Sequence, residues 1–109
     1  MNKQKLGEFE ELVLLAIGGL KQEAYTVSIQ QLLETHTKRS VSMGALYTSL
    51  ERLTKKGFLS SKMSKPTAER GGKSKRVYNV TYAGESALRD AQAIRNFLWN
   101  QFKWSPRWS

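Results

Sequence analysis

The sequence predicts a mainly α fold that carries one small β-hairpin. Three observations point to it. Apolar residues recur at helical spacing in four separate stretches. The period becomes strand-like only between about residues 58 and 82, around Gly71-Gly72. Positive charge is concentrated in the middle of the 109-residue chain. Residues 38–76 hold eleven Lys and Arg against two Asp and Glu, while residues 1–37 hold three against five and residues 77–109 four against two.

Each element has its own signal. Phe9, Leu12, Val13, Ala16, Ile17 and Leu20 mark a first helix over about 8–20, with Glu8, Glu10 and Glu11 at its positive end. Gly18-Gly19 is expected to fray its last turn. Ile29, Leu32, Leu33 and His36 mark a second helix over about 26–37 and place His36 on its apolar face, partly buried. Lys38 to Val41 is a short link with the length of a minimal strand. Ser42 caps a third helix over about 43–56, whose core row is Met43, Leu46, Leu50 and Leu53. Gly57 closes it, behind Lys55 and Lys56. The other face of that helix carries Gly44, Ala45, Thr48, Ser49 and Arg52, which are small or hydrogen-bonding. Phe58 to Lys65 and Arg76 to Tyr82 form the hairpin strands, and Arg70, Lys73, Lys75 and Arg76 give it a basic tip. Thr81 caps a last helix over about 83–103, and Pro106 limits its extension.

Three helices, a basic hairpin and a closing helix are the order of a winged helix-turn-helix plus a long C-terminal dimerisation helix. Residues 1–82 form the DNA-binding domain in this reading, and residues 83–109 the dimerisation helix and tail. The third helix enters a major groove and the wing meets phosphates. Duplex DNA is therefore the expected partner. The apolar row Ala87, Ala91, Ile94, Leu98 and Phe102 on the last helix exceeds what so small a core covers, which points to a homodimer. The longest apolar run, Leu12 to Leu20, falls short of a membrane span, so a cytoplasmic protein without membrane contact is expected. With no Cys and one His, no metal, cofactor or catalytic constellation is expected. The spacing around Gly72-Lys73-Ser74 fails the phosphate-loop requirement, because Thr67 stands where glycine is needed. A winged helix also serves as a protein-interaction module without specific DNA binding, and composition leaves that alternative open.

Three segments stand out: Leu6-Gly7 with the run Leu12 to Ile17; Gly44-Ala45-Leu46-Tyr47 followed by Leu50, Arg52-Leu53 and Gly57; and Gly71-Gly72-Lys73 followed by Lys75-Arg76, Tyr78, Thr81 and Gly84. Together they resemble the PadR family of winged-helix repressors. The likeness covers about residues 6–98. It implies a homodimeric transcriptional repressor of the short subgroup, with one C-terminal dimerisation helix. Thr48 stands where many members carry proline, and Gly72-Lys73 replaces a common Gly-Arg, so base preference does not transfer. Some short members bind flat or hydrophobic compounds between their last helices. That implies a small hydrophobic or aromatic effector, with Trp99 placed to stack on it.

The candidate DNA contacts are Lys38, Arg39, Ser42, Gly44, Tyr47, Thr48, Arg52, Arg70, Lys73, Lys75 and Arg76. Several have a structural reading beside the functional one. Ser42 is a helix cap, Tyr47 a packing ring, and Arg52 an ion-pair partner. Trp99, Trp104 and Trp108, with Phe97 and Phe102, pack a dimer interface or line an effector pocket.

Overall fold

A computed structural model of the chain describes residues 5–65 and 74–106. The elements are α1 (Glu8–Leu20), a 3₁₀ turn (Lys21–Glu23), α2 (Thr26–Thr37), α3 (Met43–Lys55), β1 (Leu59–Met63), β2 (Arg76–Val80) and α4 (Tyr82–Gln101). The fold is the expected one: three helices, a two-stranded antiparallel wing and a long closing helix. Helix ends fall within two residues of the sequence expectation. The strands are shorter, because Phe58 turns inward before the ladder starts and Tyr82 already belongs to α4.

The core follows from the apolar rows. Val13, Leu14 and Ile17 of α1, Ile29 and Leu33 of α2, and Leu46, Leu50 and Leu53 of α3 bury one another. Phe58, Leu59 and Tyr78 close the core from the wing side. Pairing Leu59 with Val80, Ser61 with Tyr78 and Met63 with Arg76 sets the register of the wing. The period of two then puts Leu59, Ser61, Tyr78 and Arg76 on one face. The backbone N–H of Tyr78 also donates to the carbonyl of Ala24 at 3.0 Å, which ties β2 to the start of α2.

Four local expectations change. Gly18-Gly19 does not fray α1, which runs through both glycines to Leu20. The helix ends instead at Lys21, whose φ of 55° and ψ of −119° leave the helical region. The link from Lys38 to Val41 forms no strand, because α2 holds both backbone groups of Val41. The Val41 N–H donates to Glu34 Oε2 at 2.7 Å, and Gln30 Nε2 donates to the Val41 carbonyl at 2.6 Å. His36 is exposed rather than partly buried, since the last turn of α2 projects beyond the buried row that ends at Leu33. Ser49 is buried and so leaves the outward face of α3, where the wheel turns it toward the core beside Leu46 and Leu53.

Helix α4 is continuous with the core only at its start. Ala87 and Leu88 pack against it, while every residue from Gln92 to Gln101 is exposed. The radius of gyration, 16.8 Å, exceeds the roughly 13 Å of a compact domain this size because this helix projects.

Candidate nucleic-acid interface

Helix α3 is placed by what surrounds it. Ser42 Oγ accepts from the Ala45 N–H at 3.1 Å, which caps its first turn. The Gln30 and Glu34 clamp on Val41 fixes the residue just before that cap. At the other end Lys56 Nζ bonds Glu10 Oε1 at 2.8 Å and the Lys5 carbonyl at 2.6 Å, which locks the end of α3 to the start of α1. Burial of Glu10 raises its pKa. The hydrogen bond from the Gly7 N–H, the Lys56 ammonium and the more distant Arg52 charge outweigh that and hold the carboxyl below its usual range.

The outward face of α3 follows from its core row. At about 100° per residue, Gly44, Thr48, Glu51 and Lys55 lie opposite Leu46, Leu50 and Leu53. All four are exposed. Gly44 faces open space, with no atom within 4 Å of where a Cβ would stand. Tyr47 lies at the wing-side edge, with its side chain exposed. Arg52 lies at the opposite edge, toward α1, where its charge reaches Glu10. Of the expected reading residues, then, Gly44 and Thr48 are central, while Tyr47 and Arg52 flank. Glu51 and Lys55 share the central row and were not anticipated. The spacing 44, 48, 51, 55 would have revealed them.

The wing approaches the same side. Tyr47, Leu50, Glu51 and Thr54 of α3 face Ser61 of β1 and Arg76 and Tyr78 of β2 across a shallow groove. Arg76 is held there by a 2.9 Å hydrogen bond from its guanidinium to Ser61 Oγ. Burial raises the Tyr78 pKa, and the neighbouring Tyr47 adds to the shift. The Arg76 charge and a hydrogen bond with Thr26 oppose it. Lys75 turns to the other side of the wing, with Nζ 5.3 Å from the centre of the Tyr25 ring. Lys62 and Lys65 add exposed cations along β1 and just past it. Arg70 and Lys73 lie outside the described residues. Lys38 and Arg39 are exposed beside the start of α3, and Arg39 lines a cavity with Phe9, Leu12, Val41 and Ala45.

This arrangement matches a known family of regulators. The family model described as "Transcriptional regulator PadR-like family" matches residues 13–90. The chain belongs to the PadR-like family. Solved structures agree. A PadR-like transcription factor from Bacteroides fragilis superposes with a TM-score of 0.71 at 29% identity, covering 85% of this chain and 84% of that one. A PadR-like transcriptional regulator from Bacillus cereus gives 0.71 at 20% identity and covers 85% of each chain. A PadR family regulator from Eggerthella lenta gives 0.67 at 24% identity, covering 85% of this chain and 76% of that one. At their identities the last two speak for the fold alone. Comparison with curated protein sequences gives no match.

The PadR-like chain offers a second surface on α4. Ile94, Leu98 and Phe102 of the expected dimerisation row are exposed, and so are Phe97, Trp99 and Trp104. Ala87 and Ala91 of that row are half-buried, and both line a groove along α4 with Leu6, Phe58 and Ile94. Trp104 folds back on the helix end, its ring 5.0 Å from Trp99 and 4.4 Å from Phe102. Trp108 lies outside the described residues. Arg95 bonds Glu11 at 2.9 Å, so α4 is tied to α1 midway along its length. No helix among the described residues is long and apolar enough to cross a membrane, and none of their His, Asp or Glu side chains cluster in threes for a metal.

Proposed function

We propose that this PadR-like regulator is a homodimeric repressor that binds a roughly palindromic operator. In this reading residues 1–82 bind DNA and residues 83–109 dimerise, as in the short subgroup of the family. Two α3 helices enter successive major grooves about 34 Å apart. Lys38, Arg39, Ser42, Tyr47, Arg52, Lys75 and Arg76 meet the backbone and groove edges, joined by Arg70 and Lys73. Ala87, Ala91, Ile94 and Leu98 of α4 meet the partner, with Phe102, which the sequence places on the helix but whose extended backbone ends it at Gln101, following just beyond. A small hydrophobic or aromatic effector stacking on Trp99 near the dimer axis changes the separation of the two α3 helices and lowers operator affinity by a population shift.

The observation that carries this reading is the shared orientation of α3 and the wing. Tyr47 and Glu51 of α3 border one groove with the Arg76 cation of the wing, and the small, open Gly44 stands on the same outward row of α3 as Glu51. The test is a titration of fluorescent duplex DNA from the region upstream of the gene, at two salt concentrations. A variant with Arg70, Lys73 and Arg76 changed to Ala runs alongside. Affinity should fall by about 10³–10⁵ between 50 and 200 mM salt if roughly 6–10 phosphates are contacted, and the variant should lose both affinity and salt slope. Weak binding that is equal on all sequences would overturn the reading and turn attention to protein partners.

A further inference from the structure

Glu51 is out of place on electrostatic grounds. It stands on the outward row of α3, exposed, between the positions offered to a polyanion. Arg52 is its neighbour and Lys55 lies at the i+4 spacing where Glu and Lys pair on a helix. Yet among the described residues Glu51 pairs with neither of them, nor with any other cation. An unpaired carboxylate pressed against phosphates weakens binding. It is tolerable where it meets a hydrogen-bond donor instead.

Its position along the helix provides that. Glu51 lies on the same outward row as Gly44 and Thr48, about 10 Å along the axis from Gly44, so a helix that enters the groove on that row presents Glu51 to the base edges too. The absence of any side chain at Gly44, in open space, lets the helix come close. Guanine and thymine present hydrogen-bond acceptors there, which repel a carboxylate. Adenine sets its amino group beside the N7 acceptor. Cytosine presents its N4 amino group alone. Resting on the DNA-binding reading above, we infer that Glu51 reads a cytosine by accepting a hydrogen bond from its N4 amino group, which makes it a specificity-determining residue of this chain.

The experiment selects preferred duplexes from a randomised pool with the full chain. It then titrates single-position variants of the winning duplex against the wild type, Glu51→Ala and Glu51→Gln. Both substitutions are on an exposed helical position, and far-UV circular dichroism checks that the fold is kept. The wild type should prefer a C·G pair at one position in each half-site, losing roughly tenfold when it is replaced. Glu51→Ala should be indifferent at that position alone. Glu51→Gln should shift its preference there to A·T, since glutamine matches adenine N6 and N7. If Glu51→Ala keeps every base preference of the wild type, the inference is overturned, even if its affinity for all DNA rises. If the wild type selects no sequence, the operator reading falls and this inference falls with it.

Discussion

Gly84 is packed so tightly on the carbonyl oxygen of Phe58 that a methyl group at Gly84 would overlap it, and would also stand 2.8 Å from Val80 Cγ1. The obstacle is backbone, so no side chain can swing aside. Thr81 reinforces the same junction. Its N–H donates to the Phe58 carbonyl at 3.0 Å, its hydroxyl to the Gly57 carbonyl at 2.6 Å, and its Oγ1 accepts from the Gly84 N–H at 3.0 Å. The end of α3 and the start of α4 are thereby joined. Gly84→Ala should cost about 2–3 kcal/mol, and Thr81→Ala about 1–2 kcal/mol. Urea unfolding followed by circular dichroism measures both. A Gly84→Ala protein as stable as the wild type would mean that the contact relaxes freely.

Lys21 sits at φ 55° and ψ −119°, a region that suits glycine and strains a side chain. Replacing it with Gly should stabilise the chain by about 1 kcal/mol. The change is read as a higher urea midpoint at unchanged slope. Lys21 is outside the DNA-facing surface, so operator affinity should not move.

Lys21 also shows where sequence reading stops. The helical rows and the change of period at Phe58 are local signals, and they located all four helices and both strands. The apolar row places the end of α1 at about residue 20, where it falls, while Gly18-Gly19 is expected to fray the last turn. The helix stays regular through both glycines, and the positive φ falls on Lys21, whose residue type carries no such signal. The same limit applies to the interface. Gly44, Thr48 and the wing cations are legible as residue types. The Gln30–Glu34 clamp on Val41 is not, because it joins side chains to a backbone seven and eleven positions away. Glu51 was legible in spacing but not in type, since an acid on a DNA-facing row contradicts the charge argument that located the row.

The Glu10–Lys56 contact makes stability depend on pH at the acid end. Burial disfavours the Glu10 charge, but the Gly7 N–H and the Lys56 ammonium favour it more, so its folded pKa lies below the ordinary 4.5. A depressed carboxylate stabilises the fold fully above its unfolded value. The contribution fades as pH falls from 4.5 through the folded value. Glu10→Gln should therefore be about 1.5–3 kcal/mol less stable near neutral pH. The gap should narrow steadily below pH 4.5. Equal gaps at pH 7 and pH 3 would show that packing, not charge, holds this corner.

Gly44 separates stability from binding. It is helical, exposed and free of neighbours, so Gly44→Ala has room for its methyl. Alanine should stabilise α3 by about 0.5–1 kcal/mol in the free protein. If the bare backbone at Gly44 is what lets α3 approach base edges, the same variant should bind its operator more weakly. Thermal unfolding and DNA titration on one sample test both halves. A variant that is more stable and binds equally well would move the point of closest approach to Thr48 or beyond.

Leu98 tests the second surface. It is 58% exposed in the single chain, with Ile94 at 62% one turn before it on α4 and Phe102 at 59% just past the helix end. Two apolar side chains this bare on one stripe of a helix that has left its core, with Phe102 beyond its end, are what the proposed dimer would bury. Leu98→Lys would place a charge in the middle of that contact while leaving the core untouched, since the core takes only the first turns of α4. The variant should stay folded by circular dichroism and run as a monomer by sedimentation equilibrium. Each half-site would then bind alone, so operator affinity should fall far more than affinity for an isolated half-site. A Leu98→Lys chain that remains dimeric would place the interface elsewhere, with α1 the first surface to examine because Leu15 is also exposed there.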